Sequence, residues 1–273
     1  MYALLFVLVQ TGVINFYYKS TFINIMINII YAVGLNLILG VAGQFSLGHA
    51  GFIAIGSYSG AILGKMMNGL PGLFAGMAVG VVISVIVAFL VGLPTLRLKG
   101  DYLAIATLGV AEIIRVAVTN MKITNGAAGI SGVPLTNTWT ITYIALVLTT
   151  ILILNYTFSS AGRATYAVLQ DEIAAESMGV QVTKYKILAF VLGAATASIG
   201  GTLSATTLGA VTPSDFTFMK SIEVLIIVVF GGIGSFTGSF VAAVLLGIIN
   251  LVLQPFGQLR MIIYAVALIL IMI

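Results

Sequence analysis

Polar and ionisable side chains inside apolar stretches are the residues of this sequence that could do chemistry. Glu112 and Arg115 lie three residues apart in one apolar run, so a helix would place them on one face, where they can form an ion pair. Gln44, Ser46 and His49 lie together in a glycine-rich stretch. Because burying a charge in lipid is costly, an ionisable residue in a membrane segment is a functional-site hypothesis by default. These residues form the candidate solute pathway.

Each candidate also has a purely structural interpretation. Glu112 and Arg115 could neutralise each other, and His49 could hydrogen-bond the irregular backbone around it. The sequence leaves both interpretations open. Glu223 lies three residues after Lys220, and we interpret it as the partner of that lysine near the membrane interface.

Catalysis and metal binding find little support among the residue types. The chain has one histidine, His49, and no cysteine, which excludes disulfides, cysteine-based metal sites and clusters of histidine ligands. No acidic residue lies near His49 in the sequence to complete a catalytic constellation. The phosphate-binding pattern GxxxxGK[ST] is absent, so the chain is not expected to bind ATP itself. We expect neither an enzyme nor a bound cofactor.

The composition identifies the solvent of this protein as lipid. Of 273 residues, 60% are hydrophobic and 7% are charged, whereas soluble domains carry about 25% charged residues. Too few ions remain to cover a water-facing surface, so most of the exterior must contact a bilayer. The net charge of +4 forms no basic stripe, which argues against nucleic acid as a partner.

Apolar runs of membrane-spanning length follow one another along the whole chain. A spanning helix needs about 20 apolar residues. We predict an all-α integral membrane bundle of eight to ten segments, forming a single domain over 1–273. We interpret the first run as a membrane helix rather than a signal peptide, and we expect a truncated C-terminus because Ile273 ends an apolar run. The runs cover residues 1–18, 22–40, 44–64, 72–93, 102–121, 139–158, 186–206, 221–233, 236–254 and 259–273.

Glycines indicate where helices pack closely and where they break. Four-residue spacing within 56–64 and within 72–80 predicts grooves for close helix packing inside the subunit, with a subunit interface as the alternative. Irregular clusters at 40–51 and 231–238 predict broken helices at membrane depth. Such breaks are tolerated only where protein or a water-filled cavity covers them.

The longest polar stretch, 159–186, predicts a surface segment between membrane helices. Its periodicity indicates a short amphipathic helix from about Arg163 to Met178, ended by Gly179. Basic residues divide evenly between the two sides of the membrane, so the positive-inside rule does not orient the chain.

Five stretches, in the same order, resemble the LivM-type permeases of branched-chain amino acid ABC importers. They cover nearly the whole chain. Sister LivH-type permeases differ in the first stretch. The stretches are GLNLILG at 34–40 with GQFSLGHAGF at 43–52, GDYLAIATL at 100–108 continuing to Arg115, TNGAAGISGVP at 124–134, 162–190 with DEIAA at 171–175, and 211–218 with GGIGS at 231–235.

The resemblance implies a permease subunit in the inner or plasma membrane of a prokaryote. It implies three kinds of partner: a LivH-like second permease, two ATP-binding cassette subunits that hold the ATP, and an external solute-binding protein. The stretch 159–186 would then be cytoplasmic and carry the coupling helix that docks on the ATPase. The residues that match this helix are Asp171, Glu172, Ala174, Ala175 and Gly179.

Alternatives remain at several levels. Permeases of this type also serve urea and short amides, so the resemblance does not identify the solute. An ion-coupled secondary transporter would need an intramembrane carboxylate, for which Glu112 and Glu223 are available. A channel-like facilitator would need no ATPase. The amphipathic helix could also lie at the interface without a partner.

Overall fold

The protein is a helical bundle in which long apolar helices are joined by short connections. The computed structural model describes residues 16–96, 98 and 100–253. Its helices are α1 Phe16–Asn36, α2 His49–Met67, α3 Leu70–Thr95, α4 Asp101–Asn120, α5 Trp139–Phe158, α6 Ser160–Gln170, α7 Glu172–Ser177, α8 Val182–Leu208, α9 Phe218–Gly231 and α10 Phe236–Leu253.

Short elements complete the fold. A π-helical turn, Leu37–Val41, extends α1. Two 3-10 turns, Gly126–Ala128 and Pro213–Phe216, lie in connections between helices. Two-residue strands, β1 Ile130–Ser131 and β2 Ala210–Val211, pair antiparallel, with Ile130 opposite Val211. This small ribbon is the one departure from an all-helical fold within the described ranges.

Five helical stretches of the described residues are long and apolar enough to cross a membrane. They are Lys19–Val41, Leu70–Thr95, Asp101–Asn120, Trp139–Phe158 and Val182–Leu208. The chain bends by 119° between α9 and α10, so these two helices together would add a sixth span, either as a broken span or as a re-entrant loop. The predicted helical membrane protein is confirmed. The count of eight to ten segments is not confirmed. The run 44–64 is not among these stretches, the runs 221–233 and 236–254 form one bent pair, and the runs 1–18 and 259–273 fall largely outside the described residues.

Helix α8 is the centre of the bundle and packs against α1, α2 and α3. Small side chains make this close packing possible. Gly56 lies against the backbone of Ser198, and Gly76 of α3 lies against the backbone of Gly60 of α2. The glycine spacing that predicted packing inside the subunit is therefore confirmed at these positions.

The bundle has two distinct ends. Helix α8 begins directly after α7 and ends directly before β2. Residues 159–181, with α6 and α7, form one end, called here the α7 end. The ribbon and the connections 121–138 and 209–217 form the other, called the β1–β2 end. Helix α1 runs toward the α7 end, because Gly43 beyond it contacts Leu169 of α6.

The two glycine clusters predicted as breaks contact each other near the end of α1. Gly40, in the π-helical turn, lies against the backbone of Gly234, between α9 and α10. Asn36 is fully buried and its amide nitrogen donates to the Ser235 carbonyl at 2.9 Å and to Ser239 Oγ at 2.8 Å. Its side-chain oxygen accepts from the Gly234 N–H at 2.8 Å. One amide therefore satisfies much of the irregular backbone at this point.

Replacing Gly76 by alanine tests the packing of α2 on α3. A Cβ at this position would lie 2.7 Å from the Gly60 Cα, so the helices must separate. Overpacking of this kind costs about 1–3 kcal/mol of stability. Gly109→Ala is the matched control, because a Cβ there meets nothing within 4 Å in helix α4. We expect a lower thermal unfolding temperature in detergent for Gly76→Ala only. Equal unfolding temperatures for the two variants would contradict this packing.

Candidate coupling segment and solute-pathway residues

The predicted single helix from Arg163 to Met178 is wrong, because the structure divides this region into α6 and α7. Asp171 separates them with an extended backbone, φ −157° and ψ 113°. Its carboxylate accepts from the N–H groups of Ile173 at 2.8 Å and Ala174 at 3.0 Å. Aspartate is a favoured N-cap residue because it satisfies N–H groups that have no helical partner. Asp171 therefore starts a new helix.

The predicted stop at Gly179 is confirmed. Gly179 has φ +85°, a conformation that glycine adopts without strain. Its N–H donates to the Glu176 carbonyl at 2.9 Å, and the Val180 N–H donates to the Ala175 carbonyl at 3.0 Å. The chain then enters α8 at Val182, within the predicted stretch 159–186.

Helix α7 presents apolar side chains to its surroundings. Ile173 is 76% exposed and Met178 is 84% exposed, and Ala174 is also exposed. Ala175 is buried against the bundle. These exposed apolar side chains are available for contact with a partner protein or with lipid. Neither Ile173 nor Met178 was predicted as a contact of the coupling helix.

Glu172 holds α7 to the start of α8. Its carboxylate forms an ion pair with the ammonium group of Lys186, which is only 8% exposed. The charge of Glu172 therefore lies toward the bundle rather than toward a partner protein. Lys186 was expected in the connection between helices, whereas the structure places it in the first turns of α8.

Gln44 connects the break after α1 to the same point. The side chain is buried, and its Nε2 donates to the Lys186 carbonyl at 3.0 Å. Next to it, Gly43 lies against Leu169 of α6. The break after α1 therefore contacts the α6–α7 segment directly at Leu169 and is joined to Glu172 through Lys186.

Ser46 and His49 are buried where α2 begins. Ser46 Oγ accepts from the Gly48 N–H at 3.3 Å, which supports the irregular backbone between α1 and α2. The His49 ring stands edge-on to the Tyr31 ring, with centroids 6.4 Å apart. Next to His49, the Ala50 N–H donates to Ser221 Oγ of α9 at 2.9 Å. The start of α2 is therefore a corner at which α1, α2 and α9 meet.

Glu112 and Arg115 form the predicted ion pair on α4. The Arg115 Nε lies 3.0 Å from Glu112 Oε1 and 2.9 Å from Oε2. The Glu112 side chain is 47% exposed and the Arg115 side chain is 29% exposed, so the pair lies on an outer face of the chain. The structure thus places Gln44, Ser46 and His49 in the core and leaves this pair at the surface.

A family model described as "Branched-chain amino acid transport system / permease component" matches residues 17–273. The chain belongs to this permease family. It follows that the permease is a multi-pass membrane protein. No solved structure shows a significant match to it.

Curated relatives of the permease are themselves permease proteins. It is 36% identical over 283 residues to the high-affinity branched-chain amino acid transport system permease protein LivM of Salmonella typhimurium, and 35% identical to LivM of Escherichia coli. The alignment covers 91% of this chain and 66% of each LivM protein. More distant relatives are LivH of Escherichia coli, 25% identical over 80% of this chain and 78% of that protein, and the ribose import permease protein RbsC of the same organism, 28% identical over 90% and 81%.

Neutralising either partner of the ion pair between Glu172 and Lys186 is expected to destabilise the permease. Removing one partner leaves a poorly solvated charge unpaired, which costs about 3–5 kcal/mol for a fully buried pair and less for one that is partly exposed. The double variant Glu172→Gln/Lys186→Met should lose less than the sum of the single variants. Lys184→Met is the control, because Lys184 is exposed and lies two residues before Lys186 in α8. Thermal unfolding measures all four, and strictly additive losses would rule out the pair.

Proposed function

We propose that this chain is a transmembrane permease subunit of an ABC importer for branched-chain or other hydrophobic or neutral amino acids. The observation that carries this proposal is the 36% identity to LivM over 91% of the chain. The importer would lie in the inner or plasma membrane of a prokaryote. ATP would be bound and hydrolysed by partner subunits, since the sequence holds no phosphate-binding loop.

The partners follow from the same relationship. A LivH-like protein would be the second permease, two ATP-binding cassette subunits would supply energy, and an external solute-binding protein would deliver the solute. Similarity of this chain to LivH itself supports pairing of two related permeases. We also keep the count of eight to ten membrane segments as a proposal. A permease for urea or short amides is the alternative, and no contact in the described residues favours it.

Helix α7 is the proposed coupling helix, and the α7 end is the proposed cytoplasmic end. Within it, Asp171 and Gly179 fix where the helix begins and ends, and Glu172 and Ala175 hold it against the bundle. Ala174, Ile173 and Met178 would contact the ATPase. This division of roles explains why only part of the matched motif is exposed.

The contacts between α7 and the break after α1 suggest how docking moves the permease. A shift of α7 would act on Lys186 through Glu172 and on Gln44 through the Lys186 carbonyl. Ser46 and His49 follow within five residues of Gln44, where α1, α2 and α9 meet. Docking that differs between inward- and outward-facing states would then bias the equilibrium between them. Gln44, Ser46, His49, Glu112 and Arg115 remain the proposed solute pathway.

The substitution Ile173→Asp tests the coupling proposal. A carboxylate on the exposed face of α7 should exclude it from an apolar groove, because an unpaired charge would have to be desolvated. We expect the affinity of the permease for the ATPase to fall about tenfold, which corresponds to about 1.4 kcal/mol of binding energy. Less ATPase should then co-purify with the permease.

Ile123→Asp is the matched control for this experiment. Ile123 is 66% exposed and lies at the β1–β2 end, so its substitution should leave the ATPase bound. If Ile173→Asp retained the ATPase like the control, α7 would be a solvated helix with no partner.

A further inference from the structure

A polar cavity lies between α1, α8, α9 and α10, away from the residues predicted as the solute pathway. Its volume is about 420 Å³, within the range of about 300–1,000 Å³ that is common for small-molecule sites. The polar and charged side chains that line it include Asn24, Asn28, Tyr31, Lys220, Glu223 and Asn250. A cavity with this many polar groups is unusual in a chain that is 60% hydrophobic.

The charges of the cavity are equal and opposite. Lys220 Nζ lies 2.9 Å from Glu223 Oε2, one turn along α9. The two side chains are 25% and 41% exposed, so both remain accessible from the cavity. Ionisable residues within a membrane protein commonly mark a solute or ion pathway. A cavity lined by one ammonium and one carboxylate has the same pair of charges as the main-chain groups of a free amino acid.

Uncharged polar groups surround the ion pair. Asn24 and Asn28 lie four residues apart and therefore on one face of α1, and Tyr31 continues that face. Asparagine can both donate and accept hydrogen bonds, so either charged group of a zwitterion could be solvated here. Apolar side chains of Ile27 and Leu208 also line the cavity and offer a surface for an aliphatic side chain.

The position of the cavity suits the uptake of an external solute. Ser204 and Leu208, which line it, are at the end of α8 that adjoins the ribbon. Ser204 is 22 residues beyond Val182, or about 33 Å along the helix from the α7 end. If the α7 end is cytoplasmic, the cavity belongs to the external half of the permease.

The floor of the cavity leads to the predicted pathway. The Lys220 ammonium lies 5.9 Å from the centroid of the Tyr31 ring, within the range of a cation–π interaction. The Tyr31 ring also stands edge-on to the His49 ring. Tyr31 therefore contacts both the cavity and the start of α2.

We propose that this cavity binds the zwitterion of an apolar L-amino acid on its way through the permease. Lys220 would bind the solute carboxylate and Glu223 its ammonium group, so that the ion pair between them exchanges for two ion pairs with the solute. The asparagines would solvate the same groups, and the apolar wall would accept the side chain. This inference rests on the proposed function, because it takes the solute class from it.

The absence of cysteine from the sequence allows a direct test. In the assembled importer, Asn28→Cys would give the permease its only thiol, and a water-soluble thiosulfonate reagent should modify it. L-leucine should slow that modification about tenfold, because bound solute excludes the reagent. Lys122→Cys, in the connection after α4 at the same end, should react at a rate that leucine does not change. An Asn28→Cys permease whose thiol does not react, or reacts equally fast with leucine present, would overturn the inference.

Transport measurements separate a binding role of the ion pair from a structural one. Lys220→Met and Glu223→Gln should each lower saturated leucine uptake into proteoliposomes about tenfold, with Lys122→Met as the control. The charge swap Lys220→Glu/Glu223→Lys restores an internal ion pair, so it should rescue thermal stability but not uptake. Full uptake in the swap would show that the pair is structural.

The two proposals fail in different ways. If the wild-type importer takes up leucine but leucine does not protect the thiol of the Asn28→Cys variant, the cavity is not the binding site and the proposed function stands. If the wild-type importer takes up no branched-chain amino acid, the proposed function falls and the assigned solute class falls with it.

Discussion

Backbone that leaves the helical form inside a bilayer must find its hydrogen bonds within the protein, and this constraint organises the permease. The break after α1 is the clearest case. Asn36 binds the turn between α9 and α10 on one side of it, and Gln44 binds the start of α8 on the other. These two side chains connect the break to the helices that surround it. A movement at either contact must rearrange the break.

Helix α8 connects the α7 end of the bundle to the β1–β2 end. Its first turns carry Lys186, which binds Glu172 of α7, and its last turns line the polar cavity. Between them, small residues such as Gly200 allow α1 to approach closely at Tyr31. Close packing over this length makes α8 a stiff connection. A permease built this way can link docking at the α7 end to the accessibility of a solute site near the other.

Local patterns in the sequence predicted the features that depend on composition or on residues close together in the chain. Composition alone identified a membrane protein, and the three-residue spacing of Glu112 and Arg115 predicted their ion pair. The division of α6 from α7 was missed, because Asp171 fits the helical periodicity and only its capping contacts reveal a new helix. The ion pair of Glu172 with Lys186 depends on the path of α8, which the periodicity of the sequence does not contain.

The polar cavity was missed for a related reason. Asn24, Asn28 and Tyr31 appear as isolated polar residues in an apolar run. Glu223 was interpreted as the interfacial partner of Lys220 or as the carboxylate of an ion-coupled transporter, but not as part of a cavity. The spacing of the first three residues on one face of α1 was the available signal. Packing of four helices was needed to bring them to one cavity.

The most direct test of the coupling role of α7 uses a single cysteine at Met178, which is 84% exposed in a chain that has no cysteine of its own. In the purified importer, a photoactivatable reagent attached to the thiol of Met178→Cys should cross-link it on illumination to an ATP-binding subunit, without a cysteine on that subunit. The yield should change when ATP is replaced by a trapped hydrolysis intermediate. Cross-linking to the external solute-binding protein instead would place α7 outside the cell and contradict the coupling role. So would modification of the Met178→Cys thiol by an impermeant reagent added to intact cells.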